Sequence, residues 1–341
     1  MPRRAVSPTM LAARIVATGR LACDEVDVPE PAPGLALVRT LVASICGSDL
    51  HVVDLGYYDE HPPPPLPGAP GFPGHESVVE VVEAPGGELA PGQLALAVPP
   101  AHVSAAYAEY QTVATSSLVP LQTTAHWEPF VLAQQLGTVI HAMNVFWPGS
   151  LTGRSVAIVG AGSGGIMFAL EARRRAATTV VIADPCPARL AVARRAGADH
   201  VVDTGSQSLE DVVMDLTGGQ GAPLAIDASG TDGGRQAAIG VLEEEGTLGM
   251  FGLPARHGPS PFDVSTLFQR RARVIAAHSA QREPGLRSFR AAVDRIAGGE
   301  LSPLNLLSHP FGLEEIEDAF AVARKRGAAI KIPIVVGAPS K

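Results

Sequence analysis

Cysteine is scarce in this chain, and its scarcity is the first constraint. Cys23, Cys46 and Cys186 are the 3 cysteines in 341 residues. They are odd in number and far apart, so they supply no disulfide framework and fit reduced thiols. Charge is sparse as well. Only 18% of residues are charged, with Lys+Arg 26 against Asp+Glu 34 and a net charge of −8. No basic run is longer than Arg173-Arg174-Arg175, which falls on an expected helix face, so nucleic acid and anionic membranes are poor partners. No uninterrupted apolar run reaches bilayer length. Met1-Pro2-Arg3-Arg4 carries the charge of a signal n-region, but Arg14 interrupts the apolar part, so a short disordered leader on a cytoplasmic protein is expected. Aromatics are few at 5%, whereas hydrophobic residues as a whole reach 46%, ample for cores. The length suggests about two domains.

Glycine is plentiful, and one glycine cluster organises the chain. Ser155–Val159 is short, apolar and β-branched, as suits a buried parallel strand. Gly160, Gly162 and Gly165 follow as G-x-G-x-x-G at the turn into a helix. The first permits the tight turn, the second lets a pyrophosphate approach the backbone, and the third lets helix and strand pack closely. The helix N-terminus offers free N–H groups and partial positive charge to phosphate. Asp184 ends the next strand, Thr179–Ala183, where a carboxylate accepts hydrogen bonds from ribose hydroxyls.

The rest of the chain divides into two patterns. Residues up to about Leu118 read as all-β with many turns, hence barrel-like: 11–27 as two strands, 35–43, 74–82 and 94–98. A proline-rich loop, 57–73, interrupts them, with too many prolines for a helix or inner strand. Trp127 to Phe146 has helical periodicity. After Ser155 strands and helices alternate: helix 189–196, strand 199–203, helix 209–217, strand 224–227, helix 234–242, strand 247–252 and a last strand 273–277. That alternation implies an α/β fold, a parallel sheet covered by helices on both faces. Helices are expected at 284–298 and 313–327, then a strand at 329–336.

Cys46-Gly-Ser-Asp-Leu-His51, Gly74-His-Glu76, Ala106-Tyr-Ala-Glu-Tyr110, the Gly160 turn, Asp184, and the tail from Phe311-Gly-Leu-Glu-Glu to Ile330-Lys-Ile332 occur in one order. Together they resemble the medium-chain dehydrogenase/reductase superfamily, the zinc alcohol dehydrogenases, and most of all its sorbitol and threonine dehydrogenase branch. The likeness runs from about Leu11 to Val336. It implies a GroES-like β-barrel catalytic domain over 1–140 and 281–341 and a doubly wound Rossmann domain over 141–280. It implies one catalytic zinc per chain, with Cys46 and His75 as ligands and Glu76 either a ligand or just behind the metal. Thiolate, imidazole and carboxylate are the groups zinc accepts. Asp49 would orient the ligand imidazole. Ser48 would receive the hydroxyl proton and His51 pass it to solvent through the cofactor ribose. A homodimer or homotetramer is expected on the same ground.

Two departures from the family pattern stand out. The four-cysteine lobe that holds a structural zinc in many relatives is missing, since 94–110 contains no cysteine, so no structural zinc is expected. In the sorbitol branch a Glu lies seven residues before a His in the helix after the β domain. With that His at His141 the position is Gln134, a poor zinc ligand. Either Glu76 closes the shell with water, or Glu128 swings in, or the metal is weak or absent. For the dinucleotide, Asp184 repels a 2′-phosphate and favours NAD, and Arg189 matches a basic residue lining the adenosine ribose in relatives. The expected function is hydride transfer between a secondary alcohol (polyol, cyclitol, sugar or amino alcohol) or its ketone and NAD. The alternatives are a zinc-free enone or quinone reductase of the same superfamily and a non-catalytic nucleotide-binding relative.

Overall fold

The computed structural model describes residues 7–56, 68–87, 89–123, 125–255 and 258–339. The expected N-terminal leader and most of the proline-rich loop lie outside the described residues. The chain forms two units, one from Met1–Gln134, Gln281–Glu300 and Leu307–Lys341, the other from Gln135–Ala280 and Leu301–Leu306.

The first stretch is β-rich. It holds β1 (Thr9–Ala17), β2 (Arg20–Asp27), β3 (Leu35–Ser44), α1 (Gly47–Leu55), β4 (Ser77–Glu83), β5 (Leu94–Ala97), β6 (Tyr110–Ala114) and β7 (Leu118–Pro120). A 3-10 turn, Glu128–Val131, carries Pro129 and packs on β3 and β4; α2 (Leu132–Phe146) follows it. Then come β8 (Ser155–Val159), α3 (Ser163–Arg174), β9 (Thr179–Asp184), α4 (Pro187–Arg195), β10 (His200–Asp203), α5 (Leu209–Leu216), β11 (Ala222–Asp227), α6 (Asp232–Gly240), β12 (Leu242–Met250), α7 (Val264–Gln269) and β13 (Arg273–Ala276). The tail adds α8 (Arg287–Ala297), β14 (Phe311–Gly312), α9 (Ile316–Arg324) and β15 (Pro333–Val335).

Strands β8 to β13 form one parallel sheet in the order β10-β9-β8-β11-β12-β13. The order reverses beside β8, which makes the carboxyl ends of β8 and β11 the switch point of a doubly wound sheet. Val159 and Asp227 stand opposite each other there. Ala157, Val159, Val181, Ala225 and Leu248 pack with residues of α5 and α6 in one core, and in this unit Phe146 and Phe168 stack while Phe251 meets Phe168 edge-on.

The β-rich unit is built on a sheet ordered β14-β15-β3-β4-β5-β7, with β6 paired to β3. Its core includes Ile45, Phe72, Tyr107, Ile316, Phe320 and Ile332. The tail therefore belongs to this unit: β15 pairs with β3, and α9 packs against β2.

Several element ends differ from the pattern in the sequence. The helix read at 234–242 ends at Gly240, because Leu242 opens β12 by pairing with Ala222. The helix read at 284–298 begins as a 3-10 turn and starts properly at Arg287, since Gly285 (φ 70) and Leu286 (φ 50) are left-handed. The tail strand shortens to Pro333–Val335, with Lys331 before it turned into the interior.

Candidate metal and dinucleotide sites

Strand pairing assembles the first cluster. β3 ends at Ser44, where register pairs Ala43 with Ser77 and Ser44 with Pro333. The chain segments just beyond those pairs meet: Ser44 N donates to Glu76 O at 3.0 Å and Ile45 N to Ile332 O at 3.0 Å. Cys46, Glu76 and Lys331 thus arrive together from positions far apart in sequence. Cys46 caps α1, and its N–H donates to Asp49 Oδ2 at 2.9 Å, a turn-long loop from N-cap to N3.

His75 is buried, and its Nδ1 lies 2.9 Å from Asp49 Oδ1. Tyr107, wholly buried, donates its hydroxyl to Asp49 Oδ2 at 2.6 Å. Gly74 is required beside it, because a Cβ there would stand 2.9 Å from the Tyr107 ring. Nδ1 also lies 3.3 Å from the Pro73 carbonyl oxygen, so with its proton on Nδ1, between that carbonyl and the Asp49 carboxylate, the ring keeps the Nε2 lone pair for a ligand. Burial pushes the His75 imidazole down, but the Asp49 carboxylate and Cys46 outweigh it and hold it well above its ordinary value. Burial pushes the Tyr107 hydroxyl up, and Asp49 adds to this.

Cys46, His75 and Glu76 present ligand atoms within 4.8 Å of one another. That spacing fits one ion with bonds of about 2.0–2.3 Å after small side-chain adjustment.

Glu76 has partners of its own. Lys331 Nζ donates to Glu76 Oε1 at 2.9 Å and Oε2 at 2.7 Å, and Ser44 donates to Oε2. Both Lys331 and Glu76 are 1% exposed. Burial disfavours the Lys331 ammonium, but Glu76 and then Cys46 prevail and raise its pKa. Sequence reasoning assigned no role to Lys331, Ser44 or Tyr107. The available signal was a lone lysine inside the apolar run 329–336.

Ser48 and His51 both lie on α1 and are half-buried. His51 Nδ1 is buried with no hydrogen-bond partner among the described residues. Burial and the nearby Arg326 lower its pKa, against an upward pull from Asp54. Gln134 is buried at the third position of α2.

The glycine turn lies at the switch point of the other unit. Gly160 has φ +101, and a Cβ on it would stand 3.0 Å from Ser229 N. A Cβ on Gly165 would collide with the Gly160 carbonyl oxygen. Around Gly162, at the N-cap of α3, the Cβ position is open, so the turn leaves a cradle facing the helix N-terminus. Asp184 is buried, and its carboxylate accepts from Ala161 N and Cys186 N, each at 2.8 Å. It therefore ties the second strand to the glycine turn, with lone pairs left for a hydroxyl. Arg189 is half-buried on α4. No helix among the described residues is long and apolar enough to cross a membrane.

Comparison with known proteins agrees with this architecture. The family description "Alcohol dehydrogenase GroES-like domain" matches residues 32–123, and "Zinc-binding dehydrogenase" matches 162–298. The L-threonine 3-dehydrogenase of Thermococcus kodakarensis is 26% identical over 340 residues, covering 91% of this chain and 93% of its own. That of Pyrococcus horikoshii is 26% identical, covering 88% and 91%. Among solved structures, the alcohol dehydrogenase of Thermus sp. ATN1 superposes with a TM-score of 0.82 at 24% identity over 96% of this chain and 100% of that one. The L-idonate 5-dehydrogenase of Escherichia coli gives 0.79 at 23% over 96% and 98%. With the doubly wound sheet, the GroES-like unit and both family matches in one order, the chain belongs to the medium-chain dehydrogenase/reductase superfamily, among the zinc-type alcohol dehydrogenases.

Proposed function

We propose that this protein transfers a hydride between a secondary alcohol and NAD, with one zinc per chain held by Cys46 and His75 and by Glu76 as third protein ligand. The observation that carries the reading is the Asp49–His75 pair beside Cys46, a carboxylate 2.9 Å from the imidazole Nδ1 in a cluster that brings imidazole, thiol and a second carboxylate within 4.8 Å of one another. The threonine dehydrogenase relatives, named for an amino alcohol, support a polyol, cyclitol, sugar or amino alcohol as substrate. When bound, zinc supplies Lewis acidity toward an alcohol or ketone oxygen.

The chain's own groups do the remainder. Tyr107 and the Cys46 N–H hold Asp49, whose other oxygen stands 2.9 Å from His75 Nδ1 and favours a proton there. Lys331 and Ser44 fix Glu76 and leave it a free lone pair. Ser48 takes the hydroxyl proton. His51, neutral at pH 7 because its pKa is lowered, relays it outward. Gly160, Gly162 and Gly165 seat the pyrophosphate, Asp184 takes the adenosine ribose, and Arg189 lines it. Edge strand β13 exposes Val274, and α7 exposes Val264 and Phe268, which favours a homodimer or homotetramer.

One observation favours a second reading, a zinc-free reductase: Lys331 engages both oxygens of Glu76, in competition with a metal. Metal content of the purified protein, read beside NADH formation across a panel of alcohols, separates them. Stoichiometric zinc with alcohol-dependent NADH supports the first reading. Metal-free protein that reduces an enone supports the second.

A further inference from the structure

Gln135 lies in the first turn of α2 and is 9% exposed. Its Oε1 is buried and has no hydrogen-bond partner among the described residues. Its Nε2 stands 3.5 Å from the Cβ position of Gly164, which the Phe251 ring approaches to 3.1 Å. Gly164 sits in the first turn of α3, beside the glycine turn. A buried amide carbonyl without a donor costs stability, and such exceptions call for a reason. The amide stands beside the first turn of α3, the helix N-terminus at which the proposed dinucleotide would bind.

An amide oxygen accepts hydrogen bonds and gains nothing from phosphate, so its partner must be an N–H or O–H. The sheet order tells which part of a dinucleotide supplies it. Asp184 ends β9, on one side of β8, whereas Phe251 follows β12, on the other. A dinucleotide crossing the switch point puts one nucleoside over each half. With the adenosine ribose at Asp184, the second nucleoside lies toward Gln135.

We propose that Gln135 is a further cofactor-contacting residue, its side-chain carbonyl accepting a hydrogen bond from the nicotinamide-riboside half of NAD. The proposal rests on the NAD reading above. The donor is a ribose hydroxyl or the carboxamide N–H.

The test is calorimetric titration of the full chain and of Gln135→Met with NAD, ADP-ribose and ADP, with thermal unfolding of each protein alone. The variant should lose roughly five- to tenfold in NAD affinity, the worth of one hydrogen bond, and keep its ADP affinity. Its midpoint without ligand should stay level or rise, since an unpaired buried acceptor has gone. A loss shared by ADP-ribose assigns the donor to the ribose; a loss confined to NAD assigns it to the carboxamide. Unchanged NAD affinity, or an equal loss for ADP, overturns the proposal. So does a fall in midpoint in both Gln135→Met and Gln135→Leu, which would mean the amide is engaged within the protein. Wild-type protein that binds none of the three overturns the NAD reading itself.

Discussion

Replacing Lys331 with methionine should be among the most damaging single changes in the β-rich unit. The ammonium bonds both oxygens of Glu76, and neither residue meets water. Methionine keeps most of the volume, so the loss is electrostatic: Glu76 remains as an uncompensated buried carboxylate near Asp49. Breaking a buried pair this way costs about 3–5 kcal/mol. Against a total stability of about 5–15 kcal/mol, that is a large fraction. Removing both charges, in Lys331→Met with Glu76→Leu, should return most of the loss, because an apolar pair of similar volume is often neutral or better. The assay is guanidinium unfolding of wild type, both single variants and the double variant, all in excess chelator. The predicted coupling between the two sites is several kcal/mol. A double variant as unstable as the sum of its singles would refute the reasoning, as would a Lys331→Met loss under about 1 kcal/mol.

Three further outcomes follow from the described geometry. His51 titrates below its ordinary 6.5, through burial first and then Arg326; the unfolded chain then takes its proton more readily, so stability should fall as pH drops from about 6.5 through the folded value. His51→Asn should flatten that part of the unfolding-midpoint profile, and an unchanged slope would count against it. Asp184→Gly should weaken NAD by roughly tenfold or more and relax discrimination against NADP in fluorescence titration, since it removes the acceptor of Ala161 N together with the charge that repels a 2′-phosphate; a wild type that already prefers NADP would contradict this. Gln134→Glu should raise zinc affinity in a chelator competition, because it adds an anionic oxygen ligand, without being needed for turnover; an unchanged affinity would mean that Gln134 does not occupy the expected ligand position.

Much of the sheet unit was legible beforehand because its signals are local. A β-branched apolar run, a glycine turn and an acid at the next strand end lie within 30 residues, and each predicts its own conformation. The Cys46 and Gly74-His-Glu76 motifs likewise announced a cluster through their polar, glycine-flanked settings. The partners of that cluster were not legible. Lys331 is 255 residues from Glu76, and only the pairing of β15 with β3 brings it there. Tyr107 stood in a recognised motif, yet its bond to Asp49 depends on a barrel core that no periodicity describes. An acid at the end of the second strand signals a ribose acceptor, but that the Asp184 carboxylate is also anchored to two backbone N–H groups is a local contact that residue type alone does not reveal. Element ends shifted where strand pairing or left-handed residues overruled helical periodicity, at Leu242 and at Gly285-Leu286.

The central claim is tested most directly by measuring zinc and alcohol-dependent NADH formation together in wild type, in Cys46→Ser and in chelator-stripped wild type. The account predicts one zinc per chain in wild type, with zinc and turnover both lost in Cys46→Ser, and turnover restored to the stripped protein by added zinc. Full turnover in protein shown to be free of zinc would contradict it.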